Sequence, residues 1–125
     1  MSDPQYMQNF LHPPKKPPKP AVRIFEGGRE VCDLTTKAGR DEYERRKDLM
    51  HKRQAGICCL YGKAPMCPGR LRRAEAMFEH EDGRGSGGGK RDDRIEVDGK
   101  PQNGVAHPLC NSWKGSRRIQ YNDAP

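Results

Sequence analysis

Two groups of side chains in this 125-residue chain combine residue types and spacings that can do chemistry. The first is an acid–histidine pair, Glu79-His80, closing the run Met77-Phe78-Glu79-His80, with Glu81 and Asp82 directly after it. An imidazole has an unperturbed pKa near ~6.5 and can accept a proton near neutral pH. One hard divalent ion beside such a base can act as a Lewis acid and template. The second group is soft. His107-x2-Cys110 has the spacing of half a zinc knuckle, and structural zinc takes four N or S ligands in a tetrahedron. The other half falls to Cys58 or Cys59 together with Cys67. Both of those spacings are wider than normal, so the knuckle must be expanded by the 62–65 segment. Cys32 lies far upstream and reads as a free thiol.

Composition says what must support these residues. Only 32% of the chain is hydrophobic and 6% aromatic, so the core is thin. Small domains with thin cores need a staple, and five cysteines are an odd count for a disulfide framework. Residues 1–20 lack the apolar core of a secretory signal, and no apolar run has the length of a membrane span. The expectation is a reducing, cytoplasmic compartment, metal-binding thiols and no membrane. Net charge is +7, from 24 Lys+Arg against 17 Asp+Glu. That balance suits a polyanionic partner, and also simple solubility.

The elements follow from local pattern. Residues 1–20 interleave Pro13, Pro14, Pro17, Pro18 and Pro20 with Lys15, Lys16 and Lys19, which predicts a disordered, extended tail. The span 21–56 reads as a strand at Val22–Phe25, a Gly27-Gly28 turn, and a helix from about Lys37 to Gln54. Thr35 or Thr36 caps that helix and Gly56 stops it. Its Arg40, Arg45, Arg46, Lys47, Lys52 and Arg53 fit either a solvated helix braced by pairs such as Glu42 with Arg46, or a basic helix lying along DNA. The span 57–121 carries the chemistry. It reads as a strand over Leu71–His80, a glycine-rich loop over Asp82–Asp93, a strand over Arg94–Val97 turning at Asp98-Gly99, and a helix from Cys110 to about Ile119. Trp113 reads as a core anchor, and 122–125 as a short tail.

Met77-Phe78-Glu79-His80, then Asn103, then His107-Pro108-Leu109-Cys110-Asn111 with Ser112-Trp113-Lys114-Gly115, resembles the HNH endonuclease motif, over roughly Arg53 to Ile119. It is most similar to the small HNH proteins of phages and their bacterial hosts. The resemblance implies an α+β fold: a small ββα-metal, treble-clef-like domain stapled by zinc, with the basic helix upstream. It implies that His80 is the general base activating water and that Asn103 braces the loop and orients that base. It implies that Glu79 and Asn111 hold a catalytic Mg²⁺ or Mn²⁺. The structural zinc would take Cys58, Cys67, His107 and Cys110, where the usual first half in the family is C-x2-C and Tyr61 here replaces the second cysteine. Lys114, Arg117 and Arg118 would lie near the phosphates of double-stranded DNA. Successive strand residues face opposite sides, so Glu79 and His80 share a metal site only if the strand ends or twists there. If it stays regular, Asp82 is the alternative carboxylate, ahead of Glu81.

The implied activity is hydrolysis of DNA phosphodiester bonds, by nicking or double-strand cleavage, alone or within a larger DNA-processing complex. Two other functions fit the same residues. One is a non-catalytic zinc-finger module that binds nucleic acid. The other is a phage assembly or packaging accessory factor acting through the Pro/Lys tail.

Overall fold

The computed structural model describes residues 19–82 and 90–115. The tail up to residue 18, the centre of the glycine-rich loop at 83–89, and Arg117 and Arg118 lie outside them. The described residues form a mixed α/β arrangement of two helices and short antiparallel strands. Val22–Ile24 (β1) pairs with Glu30–Cys32 (β2), Val22 opposite Cys32, around the predicted Gly27-Gly28 turn. Met77–Glu79 (β3) pairs with Gly104–Ala106, with Glu79 opposite Gly104. Between them in sequence, Glu96–Val97 (β4) and Lys100–Pro101 (β5) make a hairpin, so Gly104–Ala106 is β6. Asp98 and Gly99 both have positive φ, +52° and +77°, as a tight two-residue hairpin turn requires.

Helix α1 spans Lys37–Arg53. Thr36 is its N-cap: the Oγ1 accepts from Gly39 N at 2.9 Å and donates to Asp33 O at 3.1 Å. At the other end Gly56 N donates to His51 O and Ala55 N to Lys52 O, both at 3.0 Å. That crossed pair is a Schellman closure, which puts its C′ residue in the left-handed region. The C′ residue is Ala55, at φ +55°, and Gly56 follows at +72°. An alanine there carries a steric penalty that glycine lacks. Ala55→Gly is therefore expected to stabilise the protein by about 0.5–1 kcal/mol, read as a higher urea midpoint at unchanged slope.

The core gathers Met50 from α1, Cys58, Leu60, Ala64, Leu71, Ala76, Phe78, Val105, Ala106 and Cys110, with Tyr43 and Trp113 packed against it. Of the larger apolar residues on α1, Tyr43 and Met50 face inward, while Leu49 is exposed. Helix α2, Pro108–Lys114, follows β6 after one residue. It starts two residues earlier than predicted, because Pro108 occupies the first turn, where a missing N–H costs nothing.

The strand expected over Leu71–His80 is shorter. Arg73–Glu75 is a 3-10 turn, and only Met77–Glu79 is strand. Local bonds win: the Glu75 carboxylate accepts from Arg72 N at 3.2 Å, and Ala76 N donates to Arg73 O. The partner strand also has only three residues before Pro108. The strand expected over Arg94–Val97 likewise keeps only Glu96–Val97, because the Arg94 carbonyl is taken by the Asn103 side chain.

Candidate metal centre and buried polar cluster

Residues 58–71 explain how the wide cysteine spacing closes. Cys58 N donates to Gly69 O and Leu71 N to Gly56 O, both at 2.8 Å, so the two ends of the loop are zipped together. Between them the chain coils in successive turns: Tyr61 N to Cys58 O, Ala64 N to Leu60 O, Cys67 N to Ala64 O. The extra residues are absorbed there, with Leu60 and Ala64 buried in the core.

The result brings Cys58, Cys67, His107 and Cys110 together, with their ligand atoms all within 4.8 Å of one another. Nδ1 of His107 lies 3.7 Å from Cys67 Sγ and 3.8 Å from Cys110 Sγ. A tetrahedral zinc with ordinary bond lengths sets its S and N ligands roughly 3.5–3.8 Å apart. His107 Nε2 lies 2.8 Å from the Arg70 carbonyl, which can only accept, so Nε2 carries the ring proton and the Nδ1 lone pair faces the thiols. The four residues thus fit a zinc-like ion. Burial lifts the Cys110 thiol to about 12, with Cys67 and Cys58 adding to it, and also lifts Cys67. Cys58 is pulled down to about 4, first by a hydrogen bond from the Cys59 thiol and then by backbone N–H groups of His107 and Leu60. Three crowded sulfurs cannot all ionise without a cation among them. Between the two cysteines left open by spacing, Cys58 is the one whose sulfur joins the cluster. Cys59 stays protonated, because burial pushes its thiol up. Cys32 is a buried free thiol, raised to about 11 by burial.

His80 is 7% exposed. Its ring stacks on Phe78 with centroids 4.7 Å apart, and Phe78 stacks on Tyr43 at 4.8 Å. Its Nε2 lies 2.7 Å from Asp93 Oδ1. Asp93 is fully buried and accepts from Cys32 N at 2.8 Å and from Arg91 Nη2 at 2.7 Å. Burial alone would raise this carboxyl. The bonds from His80, Arg91 and Cys32 outweigh it and hold the group well below the usual carboxylate range.

The strand β3 ends at Glu79, so His80 lies just past it. Phe78 and His80 share one face, and Glu79 turns toward α2, where its Oε1 meets Lys114 Nζ at 2.8 Å. Lys114 also donates to the His80 carbonyl at 2.7 Å. Both side chains of this ion pair are buried, Lys114 completely. Lys114 is therefore an internal counter-ion, and differs from the phosphate contact that its position in the motif implies. Asn111 lies three residues before it on α2 and is partly exposed, so Glu79 and Asn111 belong to one strand–helix corner. Asp82, the alternative carboxylate, is exposed.

Asn103 sits at φ +63° and is 2% exposed. Its Oδ1 accepts from Glu81 N at 2.9 Å, and its Nδ2 donates to the carbonyls of Asp92 and Arg94, both at 2.7 Å. These bonds straddle the glycine-rich segment and pin its two ends together. Arg53 reaches across from α1 to the carbonyls of Ile95 (2.6 Å) and Asn103 (2.8 Å). Gln54 caps β6 by bonding both the N–H and the carbonyl of Val105.

Carboxylates brace part of the basic helix. Arg45 pairs with Glu42, Lys47 with Glu44, and Arg46 with Glu30 and Glu42, while Arg46 also donates to the Asp93 carbonyl at 3.0 Å. Asp93, Arg91 and Gln54 carry much of the site's order, yet no spacing rule in the sequence singled them out. Asp93 lies thirteen residues past His80, across the glycine-rich loop. No family model, curated protein or solved structure gives a significant match to this chain. No helix among the described residues is long and apolar enough to cross a membrane.

Proposed function

We propose that the chain is a metal-dependent endonuclease of the HNH type that hydrolyses phosphodiester bonds of double-stranded DNA. In this reading β3, β6 and α2 are the ββα-metal unit, and zinc on Cys58, Cys67, His107 and Cys110 fixes the start of α2. His80 takes the proton of the attacking water. Asn103 holds the loop that carries the base. Glu79 and Asn111 offer oxygen donors suited to Mg²⁺ or Mn²⁺ rather than to a softer ion. When bound there, such an ion supplies Lewis-acid stabilisation of the leaving 3′-oxygen, and the products keep 5′-phosphates. Arg117 and Arg118 are the proposed phosphate contacts.

One observation carries the reading. The β3–β6 pair and α2, whose junction supplies His107 and Cys110 of the Cys3His cluster, also hold a buried histidine, an adjacent buried carboxylate and a loop-bracing asparagine. The test is supercoiled plasmid with Mg²⁺, Mn²⁺ or EDTA, beside His80→Ala. The expected result is metal-dependent nicking or linearisation, at least ~100-fold slower in the variant. A folded, zinc-loaded His80→Ala protein that cuts at the wild-type rate would falsify the role of His80. The occupation of Glu79 by Lys114 favours a second reading, a zinc module that binds nucleic acid without cutting it. Retardation of DNA with no cleavage in any metal is its signature. A phage or bacterial setting, and work inside a packaging complex through the Pro/Lys tail, belong to the same proposal.

A further inference from the structure

We propose that Asp93 is a positioning residue for His80, fixing the ring so that Nδ1 is the nitrogen that works as base. This rests on the nuclease reading for its catalytic consequence. The argument is one of protons. An ionised carboxylate only accepts hydrogen bonds, so the 2.7 Å contact to Oδ1 places a proton on Nε2. In the neutral ring the lone pair is then on Nδ1. The pose is fixed from several sides. The ring lies on Phe78, which stacks in turn on Tyr43, and a flip within that plane would take Nε2 off Asp93. Asp93 itself is held by Cys32 N–H and by both the Nε and the Nη2 of Arg91. Arg91 in turn sits 5.5 Å above the Tyr43 ring. Arg91 thus shares the Asp93 carboxylate with His80. The arrangement parallels an aspartate that orients a catalytic histidine in other hydrolases. Here it is supplied by a residue from beyond the glycine-rich loop.

Asp93→Asn keeps the shape of the side chain. The amide turns its oxygen to Cys32 N and Arg91 Nη2, the donors that Oδ2 meets, and its NH2 to His80 in place of Oδ1. Nε2 then has to accept, and the proton moves to Nδ1. The test combines ring nitrogen and carbon NMR of His80 with steady-state cleavage of plasmid, on full-length zinc-loaded proteins. The wild type is expected to give the Nε2–H tautomer and Asp93→Asn the Nδ1–H tautomer. The kcat of the variant is expected to fall about 100-fold or more, with KM for DNA within about 2-fold. Arg91→Gln controls for lost stability, since it loosens the same network while leaving the carboxylate on His80. It is expected to lower the melting temperature and keep kcat within about 10-fold. A wild-type ring in the Nδ1–H tautomer overturns the proposal even if Asp93→Asn does not fold. So does wild-type kcat in a folded Asp93→Asn. A wild type that cuts nothing in any metal overturns the nuclease reading instead, and the ring assignment still decides whether Asp93 sets the tautomer.

Discussion

Stripping a metal from the Cys3His cluster with a strong chelator at neutral pH is expected to unfold the protein, α1 included because its Met50 lies in the same core, with loss of far-UV helix signal and of the cooperative melt. The Cys3His cluster joins three separate pieces of chain: the start of the coiled loop at Cys58, its end at Cys67, and α2 through His107 and Cys110. The core around it is small and includes two of those sulfurs, Cys58 and Cys110. A structural zinc contributes roughly 10–16 kcal/mol in small zinc domains, as large as the whole stability of a typical domain at about 5–15 kcal/mol. Without the ion, the Cys58 thiolate is left buried beside two thiols that burial keeps protonated. The unfolded, metal-free chain keeps its cysteines as ordinary thiols near neutral pH, so binding releases up to about three protons, one each from Cys58, Cys67 and Cys110. Affinity for zinc should rise with pH and fall in acid, and titration in two buffers of different ionisation enthalpy measures the proton count. Cys110→Ser should behave as the stripped protein does. A chelated protein that melts at the same temperature as the untreated one, with no metal by mass spectrometry, would rule out the zinc staple.

How much of this was legible from the residues depends on the range of the interaction. The Thr36 cap, the Asp98-Gly99 turn and the extent of α1 rest on contacts within a few positions, and local pattern found them. The four metal-cluster residues were legible because cysteine and histidine in half-knuckle spacing have few other uses. Spacing could not separate Cys58 from Cys59. The decision lies in which sulfur faces His107 once Cys58 N is tied to Gly69 O and Cys59 N to Val105 O. The Leu71–His80 strand was over-extended because alternation of Ala74, Ala76 and Phe78 with charged residues also suits a 3-10 turn followed by a short strand. Asp93 was out of reach: nothing in the order Asp92-Asp93-Arg94 says that one aspartate turns in to His80 and the other out to Arg94. The basic helix shows the same limit. Its charge and its i, i+3 pairs of Arg45 with Glu42 and Lys47 with Glu44 are local, but the reach of Arg46 to Glu30 and to the Asp93 carbonyl is tertiary.

Lys114→Met is expected to destabilise the protein by about 3–5 kcal/mol, because it leaves the Glu79 carboxylate buried beside an apolar side chain. The pair is closed to solvent on both sides, and the lysine also satisfies the His80 carbonyl. Replacing both partners, Lys114→Met with Glu79→Gln, should recover most of that loss, since neutralising the second group removes the orphaned charge. Urea denaturation of the two single variants and the double variant measures the coupling directly. The same variants separate two roles for this lysine. A phosphate ligand, as the motif implies, would be nearly silent in stability. Its removal would weaken DNA binding across all sequences and lower the salt slope by about one. An internal counter-ion shows the reverse: a large change in the urea midpoint and an unchanged salt slope for whatever folded protein remains. The geometry favours the second outcome, and it bears on the proposed catalysis. A lysine that holds Glu79 by one oxygen and the His80 backbone by another bond fixes the spacing between the end of β3 and α2. A divalent ion arriving at Glu79 and Asn111 must then either share the carboxylate with Lys114 or displace a buried ammonium. Sharing predicts that Mg²⁺ binds without shifting the lysine, so the Nζ signal of Lys114 in NMR stays put while Glu79 moves. Displacement moves both signals, and makes metal binding weaker by the strength of the pair that it breaks.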